Sequence, residues 1–482
     1  MTTASLRLKL SPTVQLSEVS AEEMLLQSPL IQMPLKKPHP GVAAALRLLA
    51  NGGATDPELR EFLSKTDGGT FPFFTMFSRL LNMGFISHTV ESDGTPLATV
   101  VPATPYYRLF TDEIAPDAAY QLSRFAFLHR AGEKFLLECP LGYAQVYLHH
   151  WQANALIHLL AEPQTCSSLA QAFPAISEAG AKMLYKILLS AKAISPVTNQ
   201  ITEEDHDATL RQWDFHDLLF HTRSRTGRHA NAFGGNYRFL GEIDPLPNVK
   251  APMSEQIIPL YQPDLEAVKA HEPAFSDVME QRISIRQHGT EPITAQEIGE
   301  FLYRTARQIS SFNLTLEKGD QQQVVEHSKR PYPNGGASYE LELYLTIAAC
   351  DGLEAGLYHY DPANHQLEFL LPKNANVDNL LRDVVATYDP TMQSAPPQVL
   401  ITYAARFQRI SWKYDALAYA VILKNVGVLQ QTMYLVATAM GLAPCALGGG
   451  NSDLFAGLIK SSYYAETSVG EFMLGRKAES QH

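Results

Sequence analysis

The sequence predicts an α+β chain: two copies of a small helical module, an irregular connector, and a larger domain of mixed strands and helices. Three observations carry this. Motifs in the first two hundred residues recur at an offset of about 110. The stretch from Thr202 to Pro259 turns rich in His, Arg, Gly, Asn and Pro. Beyond it, short strand signals alternate with two glycine loops and one long apolar segment. The expected division is 1–105, 106–201, a connector over 202–260, and 261–482.

Composition sets the outer bounds. The chain has 482 residues, 45% hydrophobic and 18% charged, the balance of a globular protein with ample core. Its net charge of -12 argues against a general nucleic-acid binder, which shows a basic face. Cys139, Cys166, Cys350 and Cys445 form no CxxC pair, so neither a disulfide framework nor a zinc site is expected. "MTTASLRLKLSPTVQ" lacks the apolar run of a signal peptide. The most apolar stretch, "TMYLVATAMGLAPCAL", is too short and too broken by Pro444 to span a bilayer. The expectation is a cytoplasmic chain with no membrane segment.

The repeat comes first in the chain. "SPLIQMP" at Ser28 returns as "CPLGYAQ" at Cys139, "LRLLANGGATDPELREFL" from Leu46 as "IHLLAEPQTCSSLAQAF" from Ile157, and "LLNMGFIS" from Leu80 as "LLSAKAIS" from Leu188. Each copy reads as an extended piece ("LRLKL"; "FAFLHRAGEKFLLE"), three helices and a strand, the order of a winged helix-turn-helix. Such modules bind DNA, bind peptides, or serve structure alone. The third-helix regions carry only Arg79 in one copy and Lys182, Lys186 and Lys192 in the other, so peptide binding or a structural role is expected. In the connector, His216, His221 and His229 show no metal-ligand spacing.

In "MEQRISIRQHG", Arg282, Ser284 and Arg286 alternate with Ile283 and Ile285. On a strand they share one face. They read either as two guanidinium forks and a hydroxyl aimed at a phosphate or as an ordinary amphipathic edge strand. "SKRPYPNGGASYELELYLTIAA" follows, with Gly335 and Gly336 permitting positive φ and close ligand approach and "YELELYLTI" alternating as a strand does. A second loop, Gly448, Gly449 and Gly450, follows a long helix expected to end at Gly441, and suggests backbone amides set against a flat or anionic ligand. Before that helix, Lys413 and Tyr414 stand at the mouth of an apolar run. A helix start favours anions, so a lysine there is a poor stabiliser. It reads either as a surface lysine that snorkels to solvent or as a group doing chemistry.

Arg-x-Ser-x-Arg, the Pro-x-Gly-Gly loop before a strand, the long helix and the late glycine loop together resemble the FMN-dependent nitroreductase superfamily. Within it, "WDFHDLLFHTRSRTGRH", "RPYPNGGASYELELYL", "GLYHYD" and the Lys-Tyr pair resemble the SagB-type azoline dehydrogenases, and the two N-terminal modules resemble the plan of the cyanobactin thiazoline oxidases. The resemblance implies a nitroreductase-like domain, a mixed sheet flanked by helices with a long central helix, preceded by two peptide-clasp-like modules. It implies FMN as hydride acceptor, reoxidised by O2, and oxidation of thiazoline or oxazoline rings in a ribosomally made precursor peptide. It implies Lys413 and Tyr414 as the proton-transfer pair and Arg282, Ser284 and Arg286 on phosphate and ribityl. Asn334 and Gly335 fall at the ring edge, Gly448 to Gly450 near flavin N5, and Arg476 is a weaker phosphate candidate. A homodimer and a partner heterocyclase are implied as well. Asn334 departs from the family's usual serine, an amide donor in place of a hydroxyl. Two alternatives stay open: an NAD(P)H-dependent nitro or quinone reductase of the same fold, and a peptide-binding scaffold with a degenerate flavin site.

Overall fold

A computed structural model describes residues 3–478 apart from 21, 30, 67 and 68. Leu30, within the first "SPLIQMP" element, thus lies outside the described residues. The chain divides into two compact units, Met1–Asn231 and Ala232–His482.

In the first unit the two copies recur element for element. The first runs through strands Ala4–Leu10, Gln15–Ser20, Glu23–Gln27 and Gln32–Lys36, helices Pro40–Ala50, Asp56–Ser64 and Thr70–Asn82, and strands Ile86–Ser92 and Thr95–Pro102. The second runs through Tyr120–Leu122, Phe127–Ala131, Lys134–Glu138 and Ala144–Leu148, helices Trp151–Leu159, Cys166–Ala172 and Glu178–Ser190, and strands Ile194–Thr198 and Ile201–Thr202. The second helix of each copy opens on a capping box, Thr55 with Glu58 and Thr165 with Ser168. In each, the hydroxyl accepts from the N3 amide while the N3 side chain accepts from the cap amide.

One correspondence differs from the sequence reading. "FAFLHRAGEKFLLE" is not the partner of "LRLKL": it turns at Gly132, φ 63°, and forms the hairpin that matches Gln15–Gln27. The counterpart of "LRLKL" is Tyr120–Leu122. Leu8 pairs with Ala54 ahead of the second helix, as Tyr120 bridges Gln164.

One seven-stranded antiparallel sheet contains strands of both copies. Thr95–Pro102 of the first pairs with Ala144–Leu148 of the second, Pro102 opposite Ala144 and Ala98 opposite Leu148. Helix Thr70–Asn82 leaves Phe71 81% exposed, where a nucleic-acid reader would present cations.

The second unit is built on another seven-stranded sheet, antiparallel at every pairing where a mixed sheet was expected. Its strand order is Ile257–Pro259, Gln366–Pro372, Gly356–Asp361, Leu341–Ile347, Val399–Arg406, Glu466–Arg476 and Leu442–Leu447. Helices Ala295–Ala306 and Ala418–Ala439 pack one face through Phe301, Leu429, Met433 and Phe472. Helices Ala375–Tyr388 and Ser452–Leu458 pack the other. Coverage on both faces buries every residue of Leu341–Ile347. Its one carboxylate, Glu342, therefore points inward and needs partners. Glu342 receives Arg406 at 3.0 Å and His359 at 3.2 Å. Burial alone would raise its pKa, but His359 and Arg406 outweigh it and bring it to about 2. The 22 residues of Ala418–Ala439 make a rod of about 33 Å. It ends where expected, with Gly441 at φ 72° beyond the cap residue Met440. Among the described residues no helix is long and apolar enough to cross a membrane.

Candidate active site

Lys413 follows the short helix Phe407–Ser411 and precedes a two-residue strand, Tyr414–Asp415, paired antiparallel with Gly234–Gly235. The carbonyl of Lys413 accepts from Tyr237 N at 3.2 Å. Its ammonium donates to the carbonyl of Gly336 at 2.9 Å and lies 5.6 Å from the ring centres of both Tyr237 and Tyr414. The long helix begins only at Ala418, so the expectation that its positive end acts on Lys413 is corrected. The lysine's pKa is lowered all the same, first by burial and then by the charge of Arg409. Arg409 itself is buried and donates to the carbonyl of Ser338 at 2.9 Å, two residues beyond Gly336.

The Pro-Asn-Gly-Gly loop meets this pair directly. Gly336 sits at φ 64°, and a Cβ there would come within 2.5 Å of Lys413 Nζ and closer still to the Tyr414 hydroxyl. Asn334 does not offer its amide outward. Its Oδ1 accepts from Ser338 N at 3.1 Å and Tyr339 N at 2.9 Å, and its Nδ2 donates to Glu340 at 2.9 Å. Gly335 N donates to Asn425 Oδ1 at 3.0 Å, and Asn425 Nδ2 donates to the other Glu340 oxygen at 2.9 Å. The amide groups assigned to a ring edge by resemblance are thus spent within the loop and on the long helix.

The anion candidates gather at the other end of that helix. Residues 282–286 follow helix Phe275–Gln281 and form no regular strand, although Ile285 bonds Pro444 of the edge strand Leu442–Leu447. Ile285 is buried and its amide donates to Pro444 O at 2.8 Å, whereas Ile283 is 58% exposed. The edge-strand reading is therefore corrected, although alternation holds on the polar side. Arg282 lies 5.2 Å from the centre of the Tyr434 ring, and Ser284 Oγ is 2.7 Å from the Tyr434 hydroxyl. Arg286 is exposed, near enough to Cys445 to lower that thiol's pKa against the rise from burial. Neither arginine has a carboxylate partner among the described residues. Two unspent guanidinium forks beside a hydroxyl on a chain of net charge -12 make a donor set that fits a phosphate.

Arg476 differs. It forms ion pairs with Glu297 at 3.1 Å and Glu291 at 3.0 Å. With its charge met by two carboxylates, its phosphate assignment is withdrawn. In the second glycine loop, a Cβ on Gly448 would meet open space and one on Gly449 only Thr387, at 3.6 Å. Gly450 is tight against the buried carboxyl of Glu471, whose pKa burial pushes up to about 7.

The comparisons follow this geometry. A model described as the nitroreductase family matches residues 279–475. One described as cyanobactin oxidase ThcOx matches 120–230, and the ThcOx helix turn helix domain matches 2–111.

The chain carries a nitroreductase-family domain over residues 279–475.

It carries both ThcOx-type N-terminal domains, and it is an oxidoreductase. A protein named as a nitroreductase, MJ1384 of Methanocaldococcus jannaschii, is 26% identical over 202 residues, covering 42% of this chain and 89% of that protein. The trifolitoxin-processing protein TfxB of Rhizobium leguminosarum bv. trifolii is 27% identical over 119 residues, 24% of this chain and 31% of its own. The microcin B17-processing protein McbC of Escherichia coli is 30% identical over 118 residues, 24% of this chain and 42% of its own. The match thus spans less than half of each of these last two. Among solved structures, a chain of the E. coli microcin synthetase McbBCD complex aligns at TM-score 0.34 with 17% identity, covering 54% of this chain and 91% of that one.

Three parts of this candidate site escaped the sequence reading. Gly234 to Tyr237, in the supposedly irregular connector, form one wall beside Lys413. Asn425 and Tyr434 are the polar positions of the long helix that hold, respectively, the Gly-Gly loop and the arginine segment. A signal existed: a buried amide or phenol in an apolar helix needs partners, so Asn425 and Tyr434 were marked by their company.

Proposed function

We propose that this chain oxidises thiazoline or oxazoline rings in a ribosomally made precursor peptide to the aromatic azoles. The observation that carries the reading is Lys413 Nζ held at 2.9 Å by the Gly336 carbonyl, at one end of the long helix. The unspent arginines stand by Tyr434 toward the other end. FMN, when bound, supplies the hydride acceptor, and Arg282, Ser284 and Arg286 are the residues that would hold its phosphate. Aromatising an azoline removes one ring hydrogen with its electron pair and one as a proton. The proton goes to Lys413. A lysine ordinarily titrates near 10.4; burial, and then the charge of Arg409, lower its pKa and so favour the neutral amine that a base requires. The Gly336 carbonyl takes one amine N–H, which turns the lone pair away from the loop. Tyr414 donates to the ring heteroatom or relays the proton.

The N-terminal modules suit a peptide: they expose Phe71 rather than a row of cations. The exposed face of the long helix, with Tyr419 47% and Leu423 39% exposed, suits a homodimer. The four cysteines are all unbonded thiols, in keeping with a cytoplasmic site of action. The heterocyclase that makes the azoline is the expected partner.

The test is mass spectrometry of a thiazoline peptide incubated with purified protein, Lys413→Ala and Tyr414→Phe, reading the loss of two hydrogens per ring. Lys413→Ala should keep its flavin and lose about a hundredfold to ten-thousandfold in rate, with Tyr414→Phe losing less. Wild-type turnover by Lys413→Ala places the base elsewhere. NAD(P)H-dependent reduction of nitrofurazone with no peptide oxidation favours the reductase alternative.

A further inference from the structure

We propose that Glu340 is the positioning residue for Lys413, acting through the Gly335–Gly336 loop. This rests on the reading of Lys413 as the base. Glu340 is 0% exposed, yet among the described residues no cation hydrogen-bonds its oxygens, and Arg330 acts on it only as a nearby charge. Each oxygen accepts instead from one primary amide, Asn334 Nδ2 and Asn425 Nδ2, both at 2.9 Å. A buried carboxylate with only neutral donors is an expensive choice. A glutamine would fill the same volume at smaller desolvation cost.

What the carboxylate alone provides is two acceptors and no donor. It therefore decides which end of each amide faces the loop. With both NH2 groups turned to Glu340, both amide oxygens turn to the loop backbone. Asn425 Oδ1 then takes Gly335 N, and Asn334 Oδ1 takes Ser338 N and Tyr339 N. Backbone amides on either side of Gly336 are fixed, and its carbonyl is left to receive Lys413 Nζ. Contact with Val421 on one side and with Lys413 and Tyr414 on the other leaves the two glycines no slack.

Glu340→Gln offers one acceptor where two are needed. One asparagine must turn over and present NH2 to a backbone N–H, and the loop shifts. Four readouts test this on the full-length flavoprotein with a thiazoline peptide. We expect flavin content to be kept, hydrogen exchange of the segment 334–341 to quicken, turnover to fall about tenfold or more, and the lysine-dependent limb of the pH–rate profile to move. In a Lys413→Ala background the same substitution should change the residual rate less than about twofold, since two residues acting through one step are not additive. Asn334→Asp, which withdraws one amide donor from Glu340 but keeps an acceptor for the loop, carries the same comparisons should Glu340→Gln not fold. A wild-type rate and unmoved limb in the folded variant, with Lys413→Ala inactive, overturns the proposal and leaves the base in place. An undiminished effect in the Lys413→Ala background also overturns it, by making the role a general structural one. A fully active Lys413→Ala removes the parent reading.

Discussion

Replacing Gly336 by alanine separates the loop's backbone role from its steric one. Gly336 lies at φ 64°, and an alanine in the left-handed region costs roughly 1–2 kcal/mol. The new methyl carbon would stand 2.5 Å from Lys413 Nζ and 2.8 Å from its Cε. Carbon contacts settle at about 3.5–4.0 Å, so the lysine tip must retreat by about 1 Å, and the phenol of Tyr414 with it. Misplacing a reacting group by that distance costs about a hundredfold in rate. The matched control is Gly319→Ala. Gly319 has φ 61° in the turn between strands Ser310–Lys318 and Gln321–Lys329, and its Cβ would meet nothing within 4 Å. It carries the backbone cost without the collision. Both variants should melt a few degrees below wild type, and only Gly336→Ala should lose turnover, read as loss of two hydrogens per azoline at fixed flavin loading. Folded, flavin-loaded Gly336→Ala turning over within about twofold of wild type would refute the coupling between loop and lysine.

Arg282→Ala with Arg286→Ala removes two charge-assisted contacts of roughly 1.5–3 kcal/mol each; the purified double variant should lose its visible flavin absorbance while its far-ultraviolet dichroism is unchanged. The oxidation rate should fall as pH drops through the lowered pKa of Lys413, because protonation removes the base, and the limb should vanish in Lys413→Ala; a rate that rises on acidification would contradict the assignment. Arg406→Ala leaves the buried Glu342 with His359 alone and should cost about 3–5 kcal/mol, seen as a large fall in denaturation midpoint. An unchanged midpoint would show that the ion pair contributes nothing.

Much of the fold was legible because it is periodic. The repeat announced itself through Leu46 and Ile157, Leu80 and Leu188, and the long helix through its apolar run and Gly441. The site was legible as parts and not as an arrangement. Lys413 and Gly336 are 77 positions apart, and no local pattern records that they touch. The alternation of "YELELYLTI" marks a strand but cannot tell a solvated carboxylate from one satisfied inside, so the burial of Glu340 and Glu342 was not legible. Arg476 read as a free cation because its partners Glu291 and Glu297 lie far away in sequence. Gly234 to Tyr237 were invisible for the opposite reason: two residues of strand are too short to leave a period.

The seam between Thr95–Pro102 and Ala144–Leu148 bears on how the N-terminal half can be cut. Two tandem copies that share one sheet are no longer beads on a string. Each has surrendered a hydrogen-bonding margin to its sibling, so a chain severed near residue 110 would leave two raw strand edges in water. The shared seam thus binds the two copies into one folding unit. Grafting one module onto another enzyme would transplant half of a sheet.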